Sequence, residues 1–274
     1  MKRILSMALS VVMVLSMLIA FSACGSDSDW AKIEKDGYFT CGITVYAPMN
    51  YFDDDGNLVG FDTEFAKAVA KELGVEAKFQ VIEWPNKYLE LESGAIDLIW
   101  NGFTYGLESD GVSRTEYVDF TRSYLENKQC LVTKADKVDE LNDIEKLKGL
   151  KAVVEGGSSG QGVANELTGS EDNVTTFASQ AAALMELMAG NADFAVIDYQ
   201  MANAMVGQGD YADLAINSAY EPESEVYAIG CRKGSDLTEK VNEAIDKLYA
   251  NGTLEEIAAK YNLTGSLIPA DSNK

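Results

Sequence analysis

The sequence has no histidine, and that absence excludes whole classes of chemistry. Without imidazole there is no Ser-His-Asp or Cys-His nucleophile, no imidazole acid or base and no HExxH zinc site. Positive charge is also scarce: 22 Lys and Arg stand against 44 Asp and Glu in 274 residues, a formal charge of −22. So acidic a chain lacks the clustered Lys and Arg that sequence-independent binding to nucleic-acid phosphates requires, and no nucleic-acid partner is expected. Cysteine is confined to Cys24, Cys41, Cys130 and Cys231. The last three lie in apolar, strand-like surroundings and read as small buried hydrophobes; their odd number allows at most one disulfide. What remains is an ordinary globular composition, 47% hydrophobic and 24% charged, long enough for one large core or two modest ones.

The N-terminus departs from that average. Lys2 and Arg3 precede an apolar run from Met7 to Phe21, interrupted only by serines, and then Ser22-Ala23-Cys24. A charged start, an apolar stretch of about 15 residues and small residues before a processing site describe a secretory signal rather than a spanning helix. Phe21-Ser22-Ala23-Cys24 resembles the bacterial lipobox, in which the cysteine is lipidated and becomes the first mature residue; Phe21 stands where Leu is usual. Residues 1–23 are therefore expected to be a lipoprotein signal peptide, and 24–36 the lipidated Cys24 with its tether. A plain secreted protein or an uncleaved anchor is the alternative. Removing the segment takes away Lys2, Arg3 and no acid, so the formal charge becomes −24.

Along the rest of the chain, strand-like and helix-like segments alternate. Phe39 to Tyr46 reads as a strand, Asp53-Asp54-Asp55-Gly56-Asn57 as a hairpin turn, and Asp62 to Gly74 as a helix with Phe65, Ala66, Val69, Ala70 and Leu73 on one face. A unit then repeats. Leu91-Glu92-Ser93-Gly94-Ala95-Ile96-Asp97-Leu98-Ile99 is echoed by Leu187-Met188-Ala189-Gly190-Asn191-Ala192-Asp193-Phe194-Ala195, which places Gly190 and Asp193 96 residues after Gly94 and Asp97. A helix, a Gly, two residues, an Asp and a strand occurring twice imply two similar α/β lobes. Val226 to Cys231 reads as one strand. Two helices close the chain, from Asp236 and from Thr253, the latter with a capping box to Glu256. The last segment is expected to fold back on the first lobe, with crossings near Gln129 to Thr133 and near Ser218 to Val226.

In α/β lobes, ligands bind outside the carboxyl ends of the strands. Four such ends carry candidate residues: Tyr46, the loop Asn101-Gly102-Phe103-Thr104, the turn Glu155-Gly156-Gly157-Ser158-Ser159-Gly160, and Asp198, which the repeat aligns with Gly102. The glycine turn suits an anion through its free N–H groups but matches neither the Walker A nor the GxGxxG pattern, so no cofactor or metal is expected.

Gly42 to Met49, Leu58-Val59-Gly60-Phe61-Asp62, Asp97 to Thr104, Val118-Asp119-Phe120-Thr121 and Ala250-Asn251-Gly252-Thr253-Leu254 together resemble the polar amino-acid substrate-binding proteins of ABC importers, in order over almost all of residues 37–263. The resemblance implies an α/β, two-lobed periplasmic-binding-protein-like fold of type II, with lobe 1 from 37–131 plus 225–274 and lobe 2 from 132–224. It implies that Arg114 takes the ligand α-carboxylate, helped by Gly102, Thr104, Ser158 and Ser159, with Asn101 beside them. Asp198 would pair with the α-ammonium, Tyr46 and Trp84 would sandwich the ligand side chain, and Glu155 would face its end. Read singly, Arg114 and Asp198 are compatible with surface charges and Trp84 with core packing.

Several residues depart from the family. The link Tyr105 to Ser113 is longer than usual by about four residues, which bears on the alignment of Arg114. Met49 replaces a common Phe. Ile43 stands where binders of basic amino acids often carry Asp, whereas Glu155 favours an amine or amide donor, so the two clues pull apart. The expected protein is a monomeric, non-enzymatic lipoprotein on the extracytoplasmic face of a bacterial membrane, capturing an amino acid for an ABC permease and its ATPase. An enzyme on the same fold, such as a dehydratase acting on a small carboxylate, is the alternative, and a sensor domain a weaker third.

Overall fold

The repeat places Asp97 and Asp193 at the same point of two separate sheets. In the computed structural model, which describes residues 28–109 and 111–272, Asp97 accepts from the Thr40 N–H at 2.9 Å and Asp193 from the Lys151 N–H at 2.9 Å. The backbone N–H of each Asp bonds in return to the carbonyl of the same partner. Each Asp thus clamps the start of its last repeat strand to the start of the lobe's first strand, which is why the pattern needs an acid there. The expected signal peptide and Cys24 lie outside the described residues.

The elements run in chain order as helix α1 (Asp29–Asp36), β1 (Tyr38–Ile43), the hairpin β2 (Tyr51–Phe52) and β3 (Leu58–Val59), α2 (Phe61–Leu73), β4 (Glu76–Val81), α3 (Lys87–Ser93) and β5 (Leu98–Ile99). A small hairpin follows, β6 (Glu108–Ser109) with β7 (Val112–Ser113), then β8 (Val118–Phe120) and the long β9 (Leu125–Lys134). The second half has β10 (Ala152–Glu155), α4 (Ser159–Thr168), β11 (Val174–Phe177), α5 (Gln180–Ala189), β12 (Phe194–Asp198), α6 (Tyr199–Met205) and β13 (Leu214–Asn217). The chain returns through β14 (Ser224–Tyr227) and β15 (Gly230–Arg232) and ends in α7 (Leu237–Ala250) and α8 (Thr253–Lys260).

One sheet has the order β4-β1-β5-β15-β8 and the other β11-β10-β12-β9-β13, with β14 also on β9. In both, three parallel strands fed by helices are completed by antiparallel strands from elsewhere in the chain. Helices α2, α3, α4 and α5 end at Gly74, Gly94, Gly169 and Gly190, all with φ between 74° and 82°, the left-handed stop that glycine supplies at no steric cost. Phe65, Ala66, Val69 and Ala70 of α2 are buried. Phe65 meets Trp100 edge-on at 5.1 Å and Tyr124 at 5.4 Å, an aromatic centre for the first sheet's core.

Three expectations are corrected. The run Val226 to Cys231 is two strands, because its first residues pair with β9 and its last with β5 and β8; an apolar run does not reveal that it feeds two sheets. The expected crossing at Gln129 to Thr133 falls inside β9, all of which pairs with strands of the second sheet. The chain changes sheets upstream, between Phe120 and Leu125, and returns between Tyr227 and Gly230, where Thr121 N–H donates to Ile229 O at 2.9 Å. No capping box forms at Thr253: α8 is capped by Gly252, and the Thr253 N–H donates to the Asn251 side chain.

The first helix is tied to the body through Arg232. Its guanidinium donates to both carboxylate oxygens of Asp29, to Asp97 and to the carbonyls of Leu91 and Ile96. Replacing Arg232 with Met strands the buried Asp97 carboxylate without its strongest partner. The expected cost is about 3 kcal/mol, a fall in Tm of about 6–12 °C readable by calorimetry.

Candidate ligand-binding cleft

β5, β10 and β12 all point their carboxyl ends at one place. Nine of the ten expected site residues line a single, nearly closed cleft there of about 10 Å³, and Gln180 joins them. Tyr46 does not line it. Its ring is buried behind Gly102 and its hydroxyl bonds to that of Tyr227 at 2.7 Å, so it supports the cleft wall instead of facing the ligand.

The first wall is the turn after β5. Gly102 has φ +57°, and a Cβ there would come within 2.7 Å of Tyr46 and 3.0 Å of Tyr227. Its N–H donates to the Asp62 carboxylate at 2.9 Å, which also accepts from the Tyr124 hydroxyl at 3.1 Å. Asn101 points inward, donating to Thr44 O and Asn50 Oδ1 and accepting from the Thr44 hydroxyl. Its side chain therefore braces the loop. Gly102→Ala is expected to strain this turn by about 1–3 kcal/mol and to weaken ligand binding as well as stability, measured by calorimetry and thermal melting.

Arg114 closes the same wall. It is buried at the start of a short turn that follows β7, the strand paired with β6. Its guanidinium donates to Thr104 O at 3.0 Å and, across the cleft, to Gly157 O at 3.1 Å, and packs 4.6 Å over the Phe103 ring. Among the described residues no carboxylate oxygen lies within 4.0 Å of it. A buried guanidinium without an anionic partner, lining a cleft, has the chemistry to hold a carboxylate.

The second wall is anionic. Asp198 ends β12 and accepts from the side-chain amides of Asn127 at 2.8 Å, Gln129 at 2.5 Å and Gln180. Burial, and then the neighbouring Glu225 carboxylate, push it well above the usual carboxylate range, to about 7. Glu155 ends β10. Burial, and then Asp198, push it up to about 8, and among the described residues its Oε1 has no hydrogen-bond partner. Ser158 and Ser159 are less free than the family pattern implies: Ser158 Oγ donates to Glu155 O and caps α4 by accepting from the Gln161 N–H, while Ser159 Oγ donates to Glu225 at 2.6 Å.

Sequence reasoning missed Lys87, Gln180 and Glu225. Lys87 is buried on α3 with its ammonium 3.1 Å from Gly157 O and 3.3 Å from Trp84 O, between the Trp84 and Tyr88 rings at 4.9 and 4.8 Å. Burial lowers it to about 7. A lysine in the first turn of a surface-like helix carries no signal of burial. Gln180 was hidden as the first residue of α5, and Glu225 lay in a segment read as a plain crossing. The cleft opens on a wider groove of about 1000 Å³ that shares Thr104 and Ser159 with it.

The titrations have a sign. Asp62, raised to about 7 by burial, behaves like Asp198 and Glu155: all three prefer the protonated form in the fold. Their contribution to stability is complete below the unfolded values near 4 and is lost as pH rises through 7 to 8. The ligand-free protein is therefore expected to melt at a lower temperature at pH 9 than at pH 5.

Two α/β lobes whose strand ends face a shared cleft, one wall cationic and the other anionic, define a two-lobed ligand-binding protein of the type II periplasmic class. Over residues 39–264 the chain matches the bacterial extracellular solute-binding proteins, family 3, and it belongs to that family. It is similar to the arginine-binding extracellular protein ArtP of Bacillus subtilis (strain 168), with 29% identity over 243 residues, 88% of this chain and 92% of that protein. The crystal structure of an ABC uptake transporter substrate-binding protein from Streptococcus pneumoniae with bound histidine matches with a TM-score of 0.76 and 30% identity, covering 90% of this chain and all of that one. An ancestral amino acid-binding protein, described as a precursor of cyclohexadienyl dehydratase, matches at a TM-score of 0.74 and 28% identity, over 85% of this chain and 99% of that one.

Proposed function

We propose that the protein captures an α-amino acid between its lobes and hands it to an ABC importer at the outer face of a bacterial membrane, without chemical change to the ligand. The observation that carries this reading is the facing pair: among the described residues, Arg114 is a buried cation with no carboxylate partner and Asp198 a buried carboxylate held by neutral amides. A zwitterion supplies both missing partners at once. Because the two charges sit on different lobes, the ligand stabilises the closed arrangement over an open one.

On this reading lobe 1 comprises 28–124 and 228–272 and lobe 2 comprises 125–227, since β9 and β14 belong with the second sheet. Lipid on Cys24 would tether the receptor through the polar residues that follow it, and the protein would act as a monomer. Relatives named as arginine-binding and histidine-bound support the amino-acid class. The alternative of a dehydratase has a neighbour named as a dehydratase precursor, but a carboxylate substrate without an amine gives Asp198 no cationic partner.

Calorimetry of the purified protein against the L-amino acids, with mass spectrometry of the recovered ligand, tests the proposal. One or a few ligands are expected to bind saturably and to be recovered unchanged. Affinity should fall as pH drops from 8 to 5, approaching tenfold per unit below 7, because Asp198 must then lose a proton to meet the ammonium. Turnover of a ligand, or no heat with any amino acid, would overturn the receptor reading.

A further inference from the structure

Asp198 has a second carboxylate beside it that the zwitterion does not use. β9 runs between β12 and β14, and the register sets Asp198 opposite Gln129 on one side and Glu225 opposite Asn127 on the other. Asn127 and Gln129 are two residues apart on one strand, so their side chains share a face. Each amide nitrogen bridges the two acids. Asn127 donates to Asp198 Oδ1 at 2.8 Å and to Glu225 Oε1 at 2.5 Å, and Gln129 donates to the same two oxygens at 2.5 and 2.8 Å. Both amides thus spend both of their N–H groups on the pair. Among the described residues no Lys or Arg forms an ion pair with either acid.

Two carboxylates held on the same nitrogens repel, and a proton on one of them relieves the repulsion. Glu225 is half-buried, lines the wider groove and accepts from the Ser159 hydroxyl at 2.6 Å. Asp198 is only 6% exposed. Charge is therefore dearer at Asp198, and the proton belongs there. The other titratable groups around the pair are Glu155 on β10, Arg114 from the first lobe, Cys130 on β9, and Tyr46, Tyr220 and Tyr227. Burial pushes the thiol and the three phenols up, so they stay neutral through pH 8. Glu155 is the one other acid of this group that titrates near neutrality, at about 8.

We propose that Glu225 is a positioning residue that acts through Asp198: held beside it by the bridging amides, it keeps Asp198 protonated in the ligand-free cleft, so that an incoming α-ammonium expels that proton to solvent. The proposal rests on the amino-acid reading of the cleft and adds its regulation. The exchange balances, because the O–H bond of Asp198 breaks, the proton leaves to buffer and the ammonium takes its place against the carboxylate. Capture is then coupled to proton release below about pH 7 and uncoupled well above it. At a fixed amino-acid concentration, such a receptor loads at neutral pH and unloads as the surroundings acidify.

The test counts protons. Calorimetric titration in buffers of different ionisation enthalpy gives the number released per ligand bound, for the unaltered protein and for the Glu225→Gln and Glu155→Gln variants. The probes are L-arginine and L-glutamine, whose side chains do not titrate between pH 5 and 8; if neither gives heat, the tightest-binding of the other L-amino acids takes their place. The unaltered protein should release about 0.9 proton at pH 6 and about 0.1 at pH 8. Glu225→Gln keeps the shape and removes the repelling charge. It should lower the release at pH 6 to about half a proton or less, and should move the pH below which affinity falls down by at least about one unit. Glu155→Gln should leave the release at pH 6 as it was, since Glu155 already holds its own proton there. A purely structural Glu225 would change affinity by the same factor at every pH and leave the count alone. No release by the unaltered protein at pH 6, or equal release by Glu225→Gln, would overturn the proposal and leave the receptor standing. So would a release lost in Glu155→Gln and kept in Glu225→Gln. Absence of binding by any amino acid would overturn the receptor reading itself. If Glu225→Gln does not fold, Glu225→Ala takes its place with the same expectation.

Discussion

Asp198→Asn is expected to weaken amino-acid binding by about 100-fold or more while leaving the ligand-free protein folded. Both effects come from what surrounds the Asp198 carboxylate. Three neutral amides hold it at the end of β12, and among the described residues no Lys or Arg forms an ion pair with it. Its negative charge is therefore compensated by dipoles alone until a ligand ammonium arrives, and the buried ion pair formed then is worth 2–5 kcal/mol to truncate, about 30- to 5000-fold in affinity. The same isolation predicts a small cost to the empty protein. Asn keeps the shape and one acceptor, and it removes a buried charge that Glu225 opposes. At pH 8 the melting temperature without ligand should move by less than about 5 °C. A large loss of stability with unchanged affinity would mean that Asp198 is a structural carboxylate.

Arg114→Met should have an effect of similar size, about 100-fold or more on affinity, from the other end of the ligand. The guanidinium is oriented by Thr104 O and by stacking on Phe103, so its fork is fixed before the carboxylate arrives. Lys at this position should not restore binding, because a point charge on a flexible stem loses both the stacking and the bidentate geometry. The Gly157 carbonyl adds a second consequence. Arg114 and Lys87 both donate to it across the cleft, so removing Arg114 also removes a contact that holds the lobes together. Small-angle scattering of the ligand-free Arg114→Met protein is expected to show a larger mean radius of gyration. An unchanged radius would assign closure to Lys87 and the remaining contacts.

Much of this was legible in the sequence, for identifiable reasons. The Gly94–Asp97 and Gly190–Asp193 repeat was readable because a left-handed helix stop and a strand clamp each demand one residue type at one spacing. The strand ends were readable because apolar runs stop where the chain turns toward solvent. Segments beside the crossings were not: Leu125–Lys134 lies wholly in the second sheet and Ser224–Arg232 divides between the two, yet both look like ordinary strands, and only pairing tells which sheet each joins. Side-chain direction was hidden for a related reason. Tyr46 and Asn101 stand at the right strand ends, yet one bonds to Tyr227 and the other to Thr44 and Asn50, bracing the loop instead of facing a ligand. Lys87 illustrates the converse, a residue type that is almost always solvated, buried here because Trp84, Tyr88 and Gly157 enclose it. The absence of histidine also acquires a physical meaning. The cleft is lined by fixed charges and by carboxylates that burial, and then a neighbouring carboxylate, carry to about 7 and 8.

The central claim is that one ligand molecule presents a carboxylate to Arg114 and an ammonium to Asp198. It is tested most directly by calorimetry with the best-binding amino acid and two blocked forms of it, the N-acetyl derivative and the α-carboxamide. Both blocked forms are expected to bind at least about 100-fold more weakly than the free amino acid, each having lost one of the two charges. An N-acetyl derivative that binds as tightly as the free amino acid would contradict the account.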